Sequence, residues 1–196
     1  MNFEKIPHTY EDPKFGEPWF TYKELYKQWV EELENNSTIV EIGCWKGKSL
    51  AYLCTEIINS KKNIQVYAVD TWLGCDGEND LYKTFPEIVN DSVYTIFMEN
   101  MKPFMQILKP IRMKSIDASK LFLNETIDRV FIDGCHTYDA VLEDIENWLP
   151  KVKLNGKLAG HDIHSEPIKQ AVFHSSLNNN KIIINNSEGY FLYTKN

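Results

Sequence analysis

No stretch of this chain approaches the run of about 20 apolar residues that a membrane helix requires, so no membrane partner is expected. Cysteine is scarce. Cys44, Cys54, Cys75 and Cys135 are scattered with no C-x-x-C pair, which argues against a zinc ribbon or a disulfide framework and predicts four reduced thiols. Positive charge is in deficit too. With 21 Lys+Arg against 28 Asp+Glu, the net charge is −7 and the pI about 5.3. That leaves little of the phosphate-neutralising surface on which nucleic-acid binding depends. The opening Met1-Asn2-Phe3-Glu4-Lys5 lacks the basic-then-apolar order of a secretory signal, so a cytoplasmic location is expected. Internal repeats are lacking as well, and 196 residues suit one domain.

What the chain does have is organised around Ile39 to Ser49, I-V-E-I-G-C-W-K-G-K-S. Thr38 to Ile42 is short and β-branched, as a buried strand should be, while Leu50, Leu53, Ile57 and Ile58 follow at helical spacing. Between them Gly43 and Gly47 punctuate a turn that can bring backbone close to a ligand at a helix start. A dinucleotide fingerprint needs a second glycine where this chain has Trp45, and Glu41 would repel a pyrophosphate. The same carboxylate would attract an ammonium and a sulfonium. S-adenosylmethionine is a ligand carrying both charges.

Elsewhere, residues 1–36 read as an irregular, proline-bearing arm followed by an amphipathic helix over Thr21 to Glu34, and residues 37–196 as the main domain. Strands are predicted at Ile64 to Asp70, Ile107 to Ser115, Arg129 to Asp133 and Lys157 to Ile163, with Asn155-Gly156 as a turn before the last of these. Helices are predicted at Glu87 to Met101, Ser119 to Leu123, Tyr138 to Trp148 and Pro167 to Phe173. Trp72 to Phe85 reads as a long polar loop, a candidate lid. Lys181 to Asn185 and Gly189 to Thr194, three residues apart, predict an antiparallel hairpin closing a mostly parallel sheet. The fold class is therefore α/β, Rossmann-like, with helices on both faces.

In such a sheet ligands bind beyond the carboxyl ends of the strands. Those ends carry Glu41 with Gly43, then Asp70, Asp133, and His161 with Asp162. Asp70 is placed to accept hydrogen bonds from ribose hydroxyls. Methyl transfer to a hydroxyl needs a base, and His136, three residues beyond Asp133, has the right solution pKa range. Asp133 and Asp162 are hard oxygen ligands suited to Mg²⁺ or Mn²⁺, with His161 as a third ligand that fits Mn²⁺, Fe²⁺ or Zn²⁺ better than Mg²⁺. Both His161 and Asp162 can reach one site only where the strand has already broken, because neighbouring strand residues face opposite ways. Against these readings stand plain ones: Asp133 as a cap of the following helix, and His136 as a capping or hydrogen-bonded structural histidine.

The ordered motifs V-E-I-G-C-W-K-G-K-S, V-D-T-W, V-F-I-D-G-C-H-T-Y-D-A-V-L-E-D-I and N-G-K-L-A-G-H-D resemble the class I S-adenosylmethionine-dependent methyltransferases of the methyltransferase 24 group, over about Ile39 to Val172. The resemblance implies a seven-stranded sheet. It also implies that Glu41, Gly43 and Gly47 serve the methionine part of the cofactor, Asp70 the ribose, and Trp72 with the Ser115 to Ser119 stretch the adenine; Cys44, Ser49, Asp117 and Asp133 complete the expected cofactor site, and Asp133 is expected to be catalytic with His136 and to bind the metal. Some relatives are metal-dependent sugar O-methyltransferases whose D-G-x-H aspartate and histidine match Asp133 and His136, but they carry two acids where this chain has His161-Asp162. The expected acceptor is a small molecule or a glycan, with homo-oligomerisation left open. The alternatives are a nucleotide- or NAD-binding domain and a catalytically silent, methyltransferase-like interaction domain.

Overall fold

The computed structural model describes residues 5–75, 85–175 and 181–195. Seven strands form one sheet in the order β3-β2-β1-β4-β5-β7-β6. They are β1 (Ser37–Ile42), β2 (Ile64–Asp70), β3 (Leu108–Arg112), β4 (Ile127–Ile132), β5 (Val152–Gly160), β6 (Ile182–Asn185) and β7 (Tyr190–Thr194). β7 runs antiparallel to both β5 and β6, and the other pairings are parallel. This is the predicted seven-stranded, Rossmann-like arrangement with its closing hairpin. Pro110 sits in the edge strand β3, where a residue without an N–H is tolerated.

Side-chain alternation builds two cores, one on each face. Ile39, Val66, Ala68, Phe131 and Ala159 point to helices α1 (Lys23–Glu32), α2 (Lys48–Ser60) and α4 (Val93–Met101), meeting Tyr26, Trp29, Leu50, Leu53 and Phe97. Val40, Val69, Val130 and Leu158 point the other way, to α6 (Tyr138–Trp148) and α7 (Glu166–His174) through Val141, Ile145, Trp148 and Val172. The period of two has a chemical consequence: Glu41 shares a face with Ile39, so its carboxylate is carried into the first core.

Four local expectations need correction. The helix expected over Glu87 to Met101 is two, α3 (Pro86–Val89) and α4, because Asp91 adopts φ 50° between them. The short helix is α5 (Ser115–Ser119), ahead of its expected position, with Lys120 to Leu123 beyond its end. Asn155-Gly156 is no turn before β5 but an irregularity inside it: Asn155 has φ 62°, and the pairing register with β4 shifts between Ile127 and Arg129. Cys75 and Cys135 form a disulfide across 60 residues of sequence, whereas Cys44 and Cys54 are the free, buried thiols that were expected. Scattered spacing cannot reveal a pairing that the sheet order creates. Of the candidate lid, residues 76–84 lie outside the described residues.

Candidate functional site

The turn after β1 is defined by what its glycines avoid. Gly43 has φ 80°, and a Cβ there would stand 2.1 Å from the carbonyl oxygen of Asp133. Gly47 has φ 89°, and its Cβ would stand 2.7 Å from Met101 Sδ. Both glycines therefore serve contacts within the protein as well as any ligand approach. Gly47 N–H donates to Cys44 O at 2.8 Å, closing the turn.

Asp70, at the end of β2, fastens that turn. Its Oδ2 accepts from the backbone N–H of Cys44 (2.7 Å) and Trp45 (3.1 Å), and its Oδ1 from that of Trp72 (2.7 Å). Burial raises the Asp70 carboxyl, opposed by these N–H donors. Trp72 is in the core, its indole N–H donating to Trp45 O at 2.9 Å and its ring against Tyr94 and Phe97. Asp117 pairs with Lys120 at 2.8 Å on the exposed side of α5.

Glu41 is fully buried. The Tyr26 hydroxyl donates to its Oε2 and the Ser49 hydroxyl to its Oε1 at 2.7 Å. Burial pushes this carboxyl up to about 8; Tyr26 and Ser49 oppose the shift, and the charges of Asp133 and Asp70 add to it. The folded value thus lies above the ordinary 4.5, so between about pH 4.5 and 8 the folded chain holds a proton that the unfolded chain has lost. Stability contributed by this group is present at low pH and falls as pH rises through that window, by at most about 1.4 kcal/mol per pH unit. Urea midpoints measured from pH 5 to 8 should therefore slope more steeply downward in the parent than in Glu41→Gln, and parallel curves would refute a buried, protonated Glu41.

Four side chains meet on the other side of β1. β5 ends at Gly160, and Asp162 adopts φ 54°, so the condition for His161 and Asp162 to reach one site is met. His136 Nε2 lies 3.1 Å from Asp162 Oδ2, and His161 Nδ1 lies 3.3 Å from the same oxygen and 3.5 Å from Asp133 Oδ1. Burial lowers the His161 imidazole, but its hydrogen bonds to Asp133 and Asp162 prevail and raise it to about 10. Burial raises Asp162, and the two histidines more than reverse this, holding it well below the usual carboxylate range. Asp133, His136 and Asp162 can each offer one ligand atom, all within 4.8 Å of one another. The helix cap is neither Asp133 nor His136 but Thr137, whose hydroxyl accepts from Ala140 N–H.

Sequence reasoning missed the residues supplied by the start of α1. Tyr22 donates to Asp133 Oδ2 at 2.8 Å. Thr21 Oγ1 donates to Glu188 O at 2.7 Å and sits 2.9 Å from His161 Nε2. Tyr22 and Tyr26 both fall within the amphipathic helix read over Thr21 to Glu34, where they serve equally as apolar surface. The usable signal was that a buried phenol needs a partner for its hydroxyl.

The sequence model of the methyltransferase 24 family, described as a methyltransferase domain, matches residues 40–163. The chain belongs to that family and carries a class I methyltransferase domain, and membership supports S-adenosylmethionine as its cofactor. Among solved structures, the O-methyltransferase NovP superposes with a TM-score of 0.68 at 16% identity, covering 89% of this chain and 79% of NovP. The calicheamicin methyltransferase CalS11 gives 0.63 at 13%, covering 90% and 77%. A Streptococcus mutans protein solved in complex with SAH gives 0.58 at 16%, covering 88% and 97%. At these identities the likeness is one of fold. The uncharacterised protein y4gI of Sinorhizobium fredii is 25% identical over 165 residues, and the match spans 83% of this chain but only 17% of that protein. Among the described residues no helix is long and apolar enough to cross a membrane.

Proposed function

We propose that this chain is an S-adenosylmethionine-dependent O-methyltransferase whose acceptor is a hydroxyl of a small molecule or glycan, with His136 as general base. The observation that carries the reading is the His136–Asp162 contact of 3.1 Å beside Asp133 at the rim of the sheet. The Asp162 carboxylate stands beside the imidazole at the strand ends, where an acceptor would have to meet the cofactor, and an imidazole is the side chain suited to take a hydroxyl proton near neutral pH.

The residues around the turn fit a cationic cofactor. The charges of Asp133 and Asp70 raise the cost of ionising Glu41, and the two lysines of the turn are turned elsewhere: Lys46 to Glu87, Lys48 to the carbonyls of Gly16 and Glu17. Bound S-adenosylmethionine would bring the missing positive charge and, on its sulfonium, an electrophilic methyl carbon. Glu41, Asp70 and the Gly43–Gly47 turn would hold and orient it, and His136 would deprotonate the acceptor. A divalent ion held by Asp133 and Asp162 would lower the pKa of an acceptor hydroxyl, and where it also takes His136 as a ligand, imidazole favouring Mn²⁺ over Mg²⁺, that histidine would no longer serve as the base. His161 already occupies one side of those two carboxylates.

Calorimetry of the reduced protein tests the cofactor assignment. S-adenosylmethionine and S-adenosylhomocysteine should both bind the parent, and Asp70→Ala should weaken binding by roughly 10- to 100-fold, as expected when hydrogen bonds to a charged acceptor are lost. No binding of either compound to the parent would end the proposal. An acceptor would then be sought by incubating cell extract with isotopically labelled methyl donor.

A further inference from the structure

Cys75 and Cys135 take no part in the chemistry proposed above, yet they stand at its entrance. Cys75 follows Asp70 by five residues, and Cys135 lies between Asp133 and His136. Their strands, β2 and β4, flank β1 on either side. The disulfide therefore crosses the carboxyl end of β1, over the Gly43 turn, and holds the two Cα atoms 5.6 Å apart. A planar group seated between two loops needs about 7 Å of clearance, one contact distance of 3.5 Å on each face. Beneath the link, Asp70 is closed onto three backbone N–H groups and Gly43 lies against the Asp133 carbonyl.

We infer that Cys75 and Cys135 form a redox clasp on the cofactor cleft: the disulfide shuts the cleft, and reduction to two thiols opens it. The inference rests on the cofactor reading above. The reductant is a dithiol. One of its thiolates attacks one sulfur of the clasp, forming a mixed disulfide and releasing the other cysteine. Its second thiol then displaces the first cysteine, and the reductant departs as a disulfide, leaving two protons on the cysteine pair. Both clasp residues are half-buried rather than sealed in the core. Cys44 and Cys54 are buried, and burial pushes their thiols well above the ordinary range, so they are poor competitors in exchange. A reducing compartment would keep the clasp open.

The test compares protein treated with dithiothreitol and with oxidised glutathione, reading the crosslink by alkylation and peptide mass and the affinity for S-adenosylhomocysteine by calorimetry. The oxidised protein should yield a joined Cys75–Cys135 peptide pair and bind at least tenfold more weakly. Cys75→Ser should bind like the reduced parent under both conditions. Equal affinity of crosslinked and reduced parent overturns the clasp and leaves the cofactor reading standing, and so does failure of the oxidant to join the pair. If the crosslink forms but neither reduced parent nor Cys75→Ser binds, the cofactor reading falls and the clasp with it.

Discussion

Replacing His136 with alanine is expected to lower methyl-transfer turnover by about 10²- to 10⁴-fold, the usual contribution of a positioned general base, while affinity for S-adenosylhomocysteine stays within a few-fold. The separation follows from where the residue sits. His136 lies on the loop after β4 and contacts Asp162, while Glu41 and Asp70, the groups proposed above to hold the cofactor, are bonded to Tyr26, Ser49 and the Cys44 N–H. The cap of α6 is Thr137, so truncating His136 leaves the helix start intact, and the thermal midpoint should barely move. Near-normal turnover would remove His136 as the base. The same substitution would also weaken a divalent ion held by Asp133, His136 and Asp162, and EDTA on the parent separates the two routes. Turnover that EDTA leaves untouched assigns the loss to proton removal, whereas inhibition reversed by one divalent ion assigns a share to the metal.

Gly43→Ala should destabilise the fold by about 2–5 kcal/mol, lowering the melting midpoint by on the order of 10 °C. Two costs combine: roughly 1–2 kcal/mol for a side chain at a left-handed φ, and about 1–3 kcal/mol for the shift needed to relieve overpacking. The second cost is unavoidable because the obstacle is backbone, the Asp133 carbonyl 2.1 Å from the added atom and Gly134 Cα at 2.5 Å. Gly134 supplies the control. A Cβ there would meet only Ile42 Cγ2 at 3.7 Å and Asp144 Oδ2 at 3.8 Å, both ordinary contacts, so Gly134→Ala should be nearly neutral. If the two substitutions cost the same, the close crossing of the β1 and β4 loops is not what Gly43 is for.

How much of this was legible beforehand depended on whether the deciding interaction was local. β2 falls at Ile64–Asp70 and α6 at Tyr138–Trp148, as read from the sequence, because both are periodic runs with clear stops. The break at Asp91 and the irregularity at Asn155 were not legible, since each rests on one residue taking a positive φ inside an otherwise continuous pattern. At the site, alignment of acidic residues on one rim followed from strand ends alone. Their partners did not. Tyr26 on Glu41, Tyr22 on Asp133 and Thr21 beside His161 are separated from those groups by 15, 111 and 140 residues, and only the packing of α1 brings them there. The disulfide belongs with them, for no spacing rule links Cys75 to Cys135 until β1 is seen between their strands.

That dependence on α1 bears on how such a domain can be cut and carried. The family match begins at residue 40, yet the hydroxyls that hold Asp133 and half of Glu41, and the rings that cover Phe131, come from Tyr22, Tyr26 and Trp29. A fragment trimmed to the matched segment would keep every motif and lose the parts that set their geometry. When a domain of this kind is inherited as a module within a longer polypeptide, the unit that has to travel intact starts no later than Thr21.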